Sequence, residues 1–169
     1  MPWLGQNIEE LETLNAALLI GSNVRKQQPI VAHRLRKAAV HNHAHISFVN
    51  PRAFDFHFPV ASNIAVAQQQ LPAELALIAA AAFKASGNKP PAHLKAALSG
   101  LKPTVEHKAI VSQLKEGEST TVLLGDLANM HPNLSALRAL AEAIAVQTGS
   151  IFGYLTEGAN AAGAWLAGA

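Results

Sequence analysis

The sequence contains no cysteine. That removes disulfides, thiolate nucleophiles and cysteine-ligated iron–sulfur clusters from anything these residues do. Charge is scarce as well. Only 14% of residues are charged, against roughly 25% in ordinary globular chains, and a formal net charge of +2 is too weak a field to gather nucleic acid. Aromatic residues make up 5%. No uninterrupted apolar run reaches the roughly 18 residues that a membrane-spanning helix needs. The glycine fingerprints G-x-G-x-x-G and G-x-x-x-x-G-K-[ST] and the nucleophile elbow G-x-S-x-G are all missing, so neither a standard dinucleotide loop nor a serine-hydrolase site is written in the chain.

Alanine and aliphatic residues dominate what is present, half the residues being apolar. That mix suits helices packed closely on a buried sheet. Asn7 is placed to cap a short helix over Ile8 to Leu14, with Glu9 and Glu10 at its positive end. Residues 16–20 (AALLI) form a continuous apolar run closed by Gly21, the pattern of a strand buried on both faces of a parallel sheet. Pro29 opens a helix whose Val31, Leu35, Ala38 and Ala39 share a stripe that Arg34 and Lys37 avoid. His45 to Asn50 is the next strand, and 54–60 (FDFHFPV) alternates like a short edge strand limited by Pro59. Helices follow at 72–86, 91–98 and 104–116. A second buried strand-and-glycine run at 120–125 (TTVLLG) leads to a helix opened by Pro132 and ended by Gly149. IFGYL at 151–155 is a last strand, and a final helix spans about 157–167. Strand, glycine, loop, proline and helix thus recur twice. The expected fold is α/β: a Rossmann-like, doubly wound, mostly parallel sheet with helices on both faces and a helical insert at about 68–118 in a single domain covering 1–169. The end, GANAAGAWLAGA, is an apolar small-residue run without a polar cap, which predicts a fragment of a longer chain.

In such sheets ligands sit beyond the carboxyl ends of the strands. Gly21, Ser22 and Asn23 offer donors there, Arg25 and Lys26 add charge, and Asn50 and Arg52 would border the same edge. Two readings stand. The turns hold a nucleotide or pyrophosphate, or their glycines only let the chain leave the sheet sharply. Against the first, the strand that would carry a ribose-gripping acid ends in Asn50-Pro51-Arg52. His41, His43 and His45 alternate and would project to one side of an extended backbone, yet no nearby carboxylate orients them, so a solvated loop is favoured over a metal site. No acid occurs between Glu12 and Asp55, whereas Arg25, Lys26, Arg34, Arg36, Lys37 and Arg52 do. This reads as a solvated face or a protein contact. Asp126, His131 and Glu157 fall near strand ends, but their spacing specifies no catalytic triad.

Four segments carry a family resemblance: ALLIGSNVRKQQPIVAHRLRKAA, ISFVNPRAFDFHFPVA, VLLGDLANMHPNLSALRALAEAIAVQTG and GYLTEGANAAGAWLAGA. They resemble the large G subunit of bacterial NADH:quinone oxidoreductase (respiratory complex I), within its molybdopterin-oxidoreductase-like region. The resemblance runs from Ala16 onward and is weakest at about 84–118. The G-S-N turn and the N-P-R turn are shared more widely, with molybdenum enzymes of the dimethyl sulfoxide reductase type. There the matching turns help hold the guanine-dinucleotide form of molybdopterin. The resemblance therefore implies Gly21, Ser22, Asn23, Asn50 and Arg52 as vestigial cofactor-binding residues, a scaffold kept after the pterin was lost, and no catalytic or metal-ligating residue. It implies a parent that passes electrons from NADH towards quinone through iron–sulfur clusters held elsewhere in its chain. It further implies a place on the cytoplasmic side of the bacterial inner membrane without insertion into it. Other subunits of the peripheral arm would be the partners, nucleic acid would not, and the excised piece is open to self-association. The alternative is a molybdopterin guanine dinucleotide-binding domain of a working molybdoenzyme.

Overall fold

Ala16–Ile20 (β1) is the middle of the sheet, and all five of its residues are buried. A computed structural model describes residues 3–156, 158 and 160–168. The other strands are His45–Asn50 (β2), Ser62–Ala65 (β3), Thr120–Leu124 (β4) and Ile151–Tyr154 (β5), in the order β3-β2-β1-β4-β5 with every pairing parallel. Order reverses between β1 and β4. The chain builds outward from β1 in one direction through β2 and β3, then crosses back to start β4 on the other side, so the fold is doubly wound.

Strand alternation divides the apolar residues between two layers. Ala16, Leu18 and Ile20 face one side together with Val49, Val122 and Leu124. There they meet Leu71–Ser86 (α3), Val105–Glu116 (α5) and Leu134–Thr148 (α7). Ala17 and Leu19 face the other side with Ile46, Phe48 and Leu123, covered by Pro29–His41 (α2) through Val31, Leu35 and Ala38. Both faces of the sheet are thus closed by helices, which is why β1 reads as an unbroken apolar run and why β4 is buried at every position. The remaining helices are short: Val24–Gln27 (α1), Ala92–Leu98 (α4), Asp126–Asn129 (α6) and Ala161–Leu166 (α8). α3, α4 and α5 all lie in the connection from β3 to β4.

Several expectations change. Residues 54–60 are not a strand. His57 adopts a left-handed φ of 57° there, and the three phenylalanines fold back as a loop on the sheet, Phe56 stacking on Phe48 with centroids 3.7 Å apart. Burying those rings against Phe48 competes with strand pairing and wins. The edge strand is instead Ser62–Ala65. Ile8–Thr13 is a 3₁₀ helix rather than an α-helix, its start fixed by the Glu10 carboxylate, which accepts from both the backbone and the side chain of Asn7. α6, a single turn, follows Gly125 directly, and α1, also a single turn, begins three residues after Gly21. The last helix starts at Ala161 rather than 157, and residues 157 and 159 lie outside the described residues.

Glu12 joins the 3₁₀ turn to α2. Its carboxylate accepts from Lys37 at 2.9 Å and from Arg34. These two bonds, that of Lys37 foremost, hold the Glu12 carboxyl below its usual range. A lowered folded-state pKa favours the fold above the ordinary carboxylate range, and that contribution disappears as pH falls through the folded value. Glu12→Gln is expected to lower the urea midpoint at neutral pH, with the gap to the parent protein closing below about pH 4. A gap of constant size across that range would show that the pairing contributes nothing.

Candidate functional site

The two glycine turns meet where strand order reverses. Gly21 leaves β1 with φ +60°, a conformation open to glycine at little cost, and donates its N–H to Val49 O at 2.8 Å. The next amide, that of Ser22, donates to Asn50 Oδ1 at 2.7 Å, a bond with both residues fully buried. Across the reversal, Gly125 N donates to Ile20 O at 2.8 Å and Leu127 N to Gly21 O at 2.9 Å. The backbones touch. A Cβ on Gly21 would lie 2.5 Å from Ala128 N, and one on Gly125 would lie 2.4 Å from Ser22 Cβ and 2.6 Å from Gly21 O. The opposing contact in each case includes backbone, which has little room to move aside.

The second turn carries Asp126, 3% exposed at the start of α6. Gln28, the residue before α2, donates its amide to Asp126 Oδ2 at 3.0 Å and to Thr156 O at 3.5 Å. Asn129 Nδ2 donates to Leu155 O at 3.3 Å, tying α6 to the exit of β5. Three buried polar atoms around the reversal, Ser22 Oγ, Asn50 Nδ2 and Gln28 Oε1, have no hydrogen-bond partner among the described residues.

Of the residues implied by the resemblance, Gly21, Ser22 and Asn50 come together inside this sealed turn. Asn23 and Arg52 lie outside it, bordering a cleft of about 290 Å³ with Arg25, Lys26, Phe54 and Asp55. The Arg52 guanidinium stands over the Phe54 ring, 5.0 Å from its centroid, a cation–π contact. Arg25 Nη1 is 3.3 Å from Asp55 Oδ2. The His57 N–H donates to Asp55 Oδ1 at 3.1 Å, and this bond leads the effects that hold that carboxyl below its usual range. The stretch without acids is therefore flanked by its own counter-ions, Glu12 for Arg34 and Lys37, and Asp55 for Arg25.

The other candidates disperse. His41 ends α2, His43 has φ +54° and His45 starts β2. Among the described residues no group of three or more His, Cys, Asp or Glu is placed to hold a metal ion. His131 is buried, with Nε2 2.9 Å from Gln68 O and Nδ1 accepting from Asn133 N at 2.9 Å, so both ring nitrogens are occupied structurally. Glu157 lies outside the described residues. Sequence reasoning missed Gln28 and its bond to Asp126. The only local signal was position, Gln28 directly before Pro29 and Asp126 directly after Gly125.

An all-parallel, doubly wound sheet with glycine turns meeting at its reversal defines a nucleotide-type α/β scaffold. The chain belongs to the molybdopterin oxidoreductase family, whose model matches residues 2–164. Among solved structures it is similar to a chain of the formyltransferase/hydrolase complex (FhcABCD) from Methylorubrum extorquens, determined in complex with methylofuran. The TM-score is 0.56 at 12% identity over 99% of this chain, which spans 45% of that one. At that identity the likeness concerns the fold.

Asn50→Ala leaves the buried Ser22 N–H without an acceptor and is expected to cost about 1–3 kcal/mol in urea unfolding. Gly125→Ala forces the two turns apart and is expected to cost about 1–3 kcal/mol as well. A substitution at either position within 0.5 kcal/mol (about the scatter of ordinary surface changes) would mean that the turns are not in contact.

Proposed function

We propose that this chain is a structural part of the G subunit of an NADH:quinone oxidoreductase, retaining the molybdopterin family's scaffold with a strand-end rim that holds no pterin. On this reading the parent carries electrons from NADH towards quinone, and this portion braces the peripheral arm on the cytoplasmic side of the membrane against neighbouring subunits. The family match supports the coarser statement, and the four quoted segments, GYLTEGANAAGAW above all, support the finer one.

One observation carries the proposal for the rim. A dinucleotide in a doubly wound sheet lays its pyrophosphate across the reversal, where the two turns here are packed backbone to backbone with the Asp126 carboxylate beside them. A pyrophosphate brought there meets a like charge and finds its approach filled by protein. The amide of Ser22, a natural donor to such a ligand, is committed to Asn50. The cleft beside it, about 290 Å³, is at the lower limit of small-molecule sites, roughly 300–1,000 Å³, and short of a whole pterin dinucleotide. These features support a rim that does not take that group. With no cysteine, the residues present also supply no thiolate to an iron–sulfur cluster.

A second reading, the dinucleotide-binding domain of a working molybdoenzyme, is favoured by Ser22 Oγ, Asn50 Nδ2 and Gln28 Oε1, which lack partners among the described residues, and by the cationic cleft of Arg25, Lys26 and Arg52. Thermal unfolding with GDP separates the two. A ligand present at 100 times its dissociation constant stabilises a protein by about 2.7 kcal/mol. The expected result is an unchanged midpoint at millimolar GDP. A rise of several degrees that Arg52→Ala abolishes would establish the second reading.

A further inference from the structure

Far from the strand-end turns, the connection from β3 to β4 carries a concentration of positive charge. Between residues 84 and 108 stand Lys84, Lys89, Lys95, Lys102 and Lys108, with Glu106 the one acid. These are five of the chain's 13 lysines and arginines, and none of the five takes part in an ion pair among the described residues. Glu106 forms no ion pair with them among the described residues, its carboxylate accepting instead from Ser62 Oγ on β3. Glu74 on α3 is engaged by His107 Nε2 at 2.6 Å, and Glu142 lies with Lys89 on a separate cleft.

Three of the lysines converge on one cleft of about 340 Å³: Lys84 from α3, Lys102 from the loop after α4, and Lys108 from α5. Between them its lining includes the apolar side chains of Ala80, Phe83, Leu98 and Leu101, and no acidic residue lines it. The cleft shares no residue with the cationic cleft at the strand ends. Three like charges around one cleft with no acid in its lining give it a positive field. The lysines are exposed, whereas Phe83 and Leu98 are only 6% and 7% exposed.

We infer that this cleft is a docking site for an acidic, amphipathic segment of a partner protein, one bulky aliphatic or aromatic side chain entering the floor while flanking carboxylates meet Lys84, Lys102 and Lys108. The complementarity is two-fold, charge at the rim and apolar surface beneath it. A bilayer is the poorer occupant, because membrane docking needs apolar side chains that project and these are recessed. Nucleic acid is poorer still, because base stacking needs an exposed ring and Phe83 is buried. The cleft admits about one or two large side chains, so it is an anchor point and not a whole interface. This inference stands whether or not the strand-end rim binds a cofactor.

Fluorescence anisotropy tests it with a labelled synthetic peptide of glutamate and leucine at helical spacing. Expected are saturable binding at low ionic strength that weakens with salt, and a loss of about tenfold or more in affinity when Lys84→Ala, Lys102→Ala and Lys108→Ala are combined. These exposed lysines are not part of the core, so the variant keeps the parent's thermal midpoint. A control peptide with its leucines replaced by serine is expected to bind at least about tenfold more weakly. Three results would each overturn the proposal: no saturable binding, equal affinity in the triple variant, or equal affinity for the leucine-free peptide. Lysine-dependent binding to phosphatidylglycerol vesicles without binding to the peptide would reassign the cleft to a membrane surface.

Discussion

The contact between the turns after β1 and β4 is the constraint on which the rest of this structure depends. Gly21 and Gly125 allow two parallel strands to release their chains toward opposite layers while the turns themselves still touch. Leu127 and Gly125 donate across that contact, and Asn50 closes it from β2. Strand order, helix placement and the position of every rim residue follow from this junction. α2 is launched to one face and α7 to the other, and the clefts along the rim are what remains outside the sealed centre.

The junction also separates chemistry from architecture. Polar residues nearest the reversal are turned inward to satisfy backbone, as Asn50 does for Ser22, or one another, as Gln28 does for Asp126. Charged residues are pushed outward and find partners locally. Arg34 and Lys37 meet Glu12, Arg25 meets Asp55, and Arg52 rests on Phe54. A further group of lysines without ion pairs among the described residues stands on the helical connection between β3 and β4, around Phe83 and Leu98.

Much of the architecture was legible in the residues because its central strands are buried on both faces. AALLI and TTVLL have no solvent side to conceal, HISFVN exposes only its first residue, and each matches its strand to the residue. The edge was not legible. Ser62–Ala65 buries only alternate residues over four positions, too short a pattern to stand out, while FDFHFPV alternates convincingly for another reason, its rings packing on Phe48 from a loop. The site was half legible. Glycine, serine and asparagine at a strand exit mark a turn, but their division into a sealed centre and an open cleft depends on pairings 28 and 98 residues apart in the chain, Ser22 with Asn50 and Gln28 with Asp126. No local spacing encodes such contacts.

Hydrogen exchange at the Ser22 amide tests the central claim most directly. If the turns form a sealed structural junction, that amide, bonded to Asn50 and fully buried, exchanges as slowly as the amides of β1, opening only when the whole fold opens, and it does so equally with and without a guanine nucleotide. Rapid exchange in the free protein that slows when the nucleotide is added would contradict the account, because it would reveal a turn kept open for a ligand.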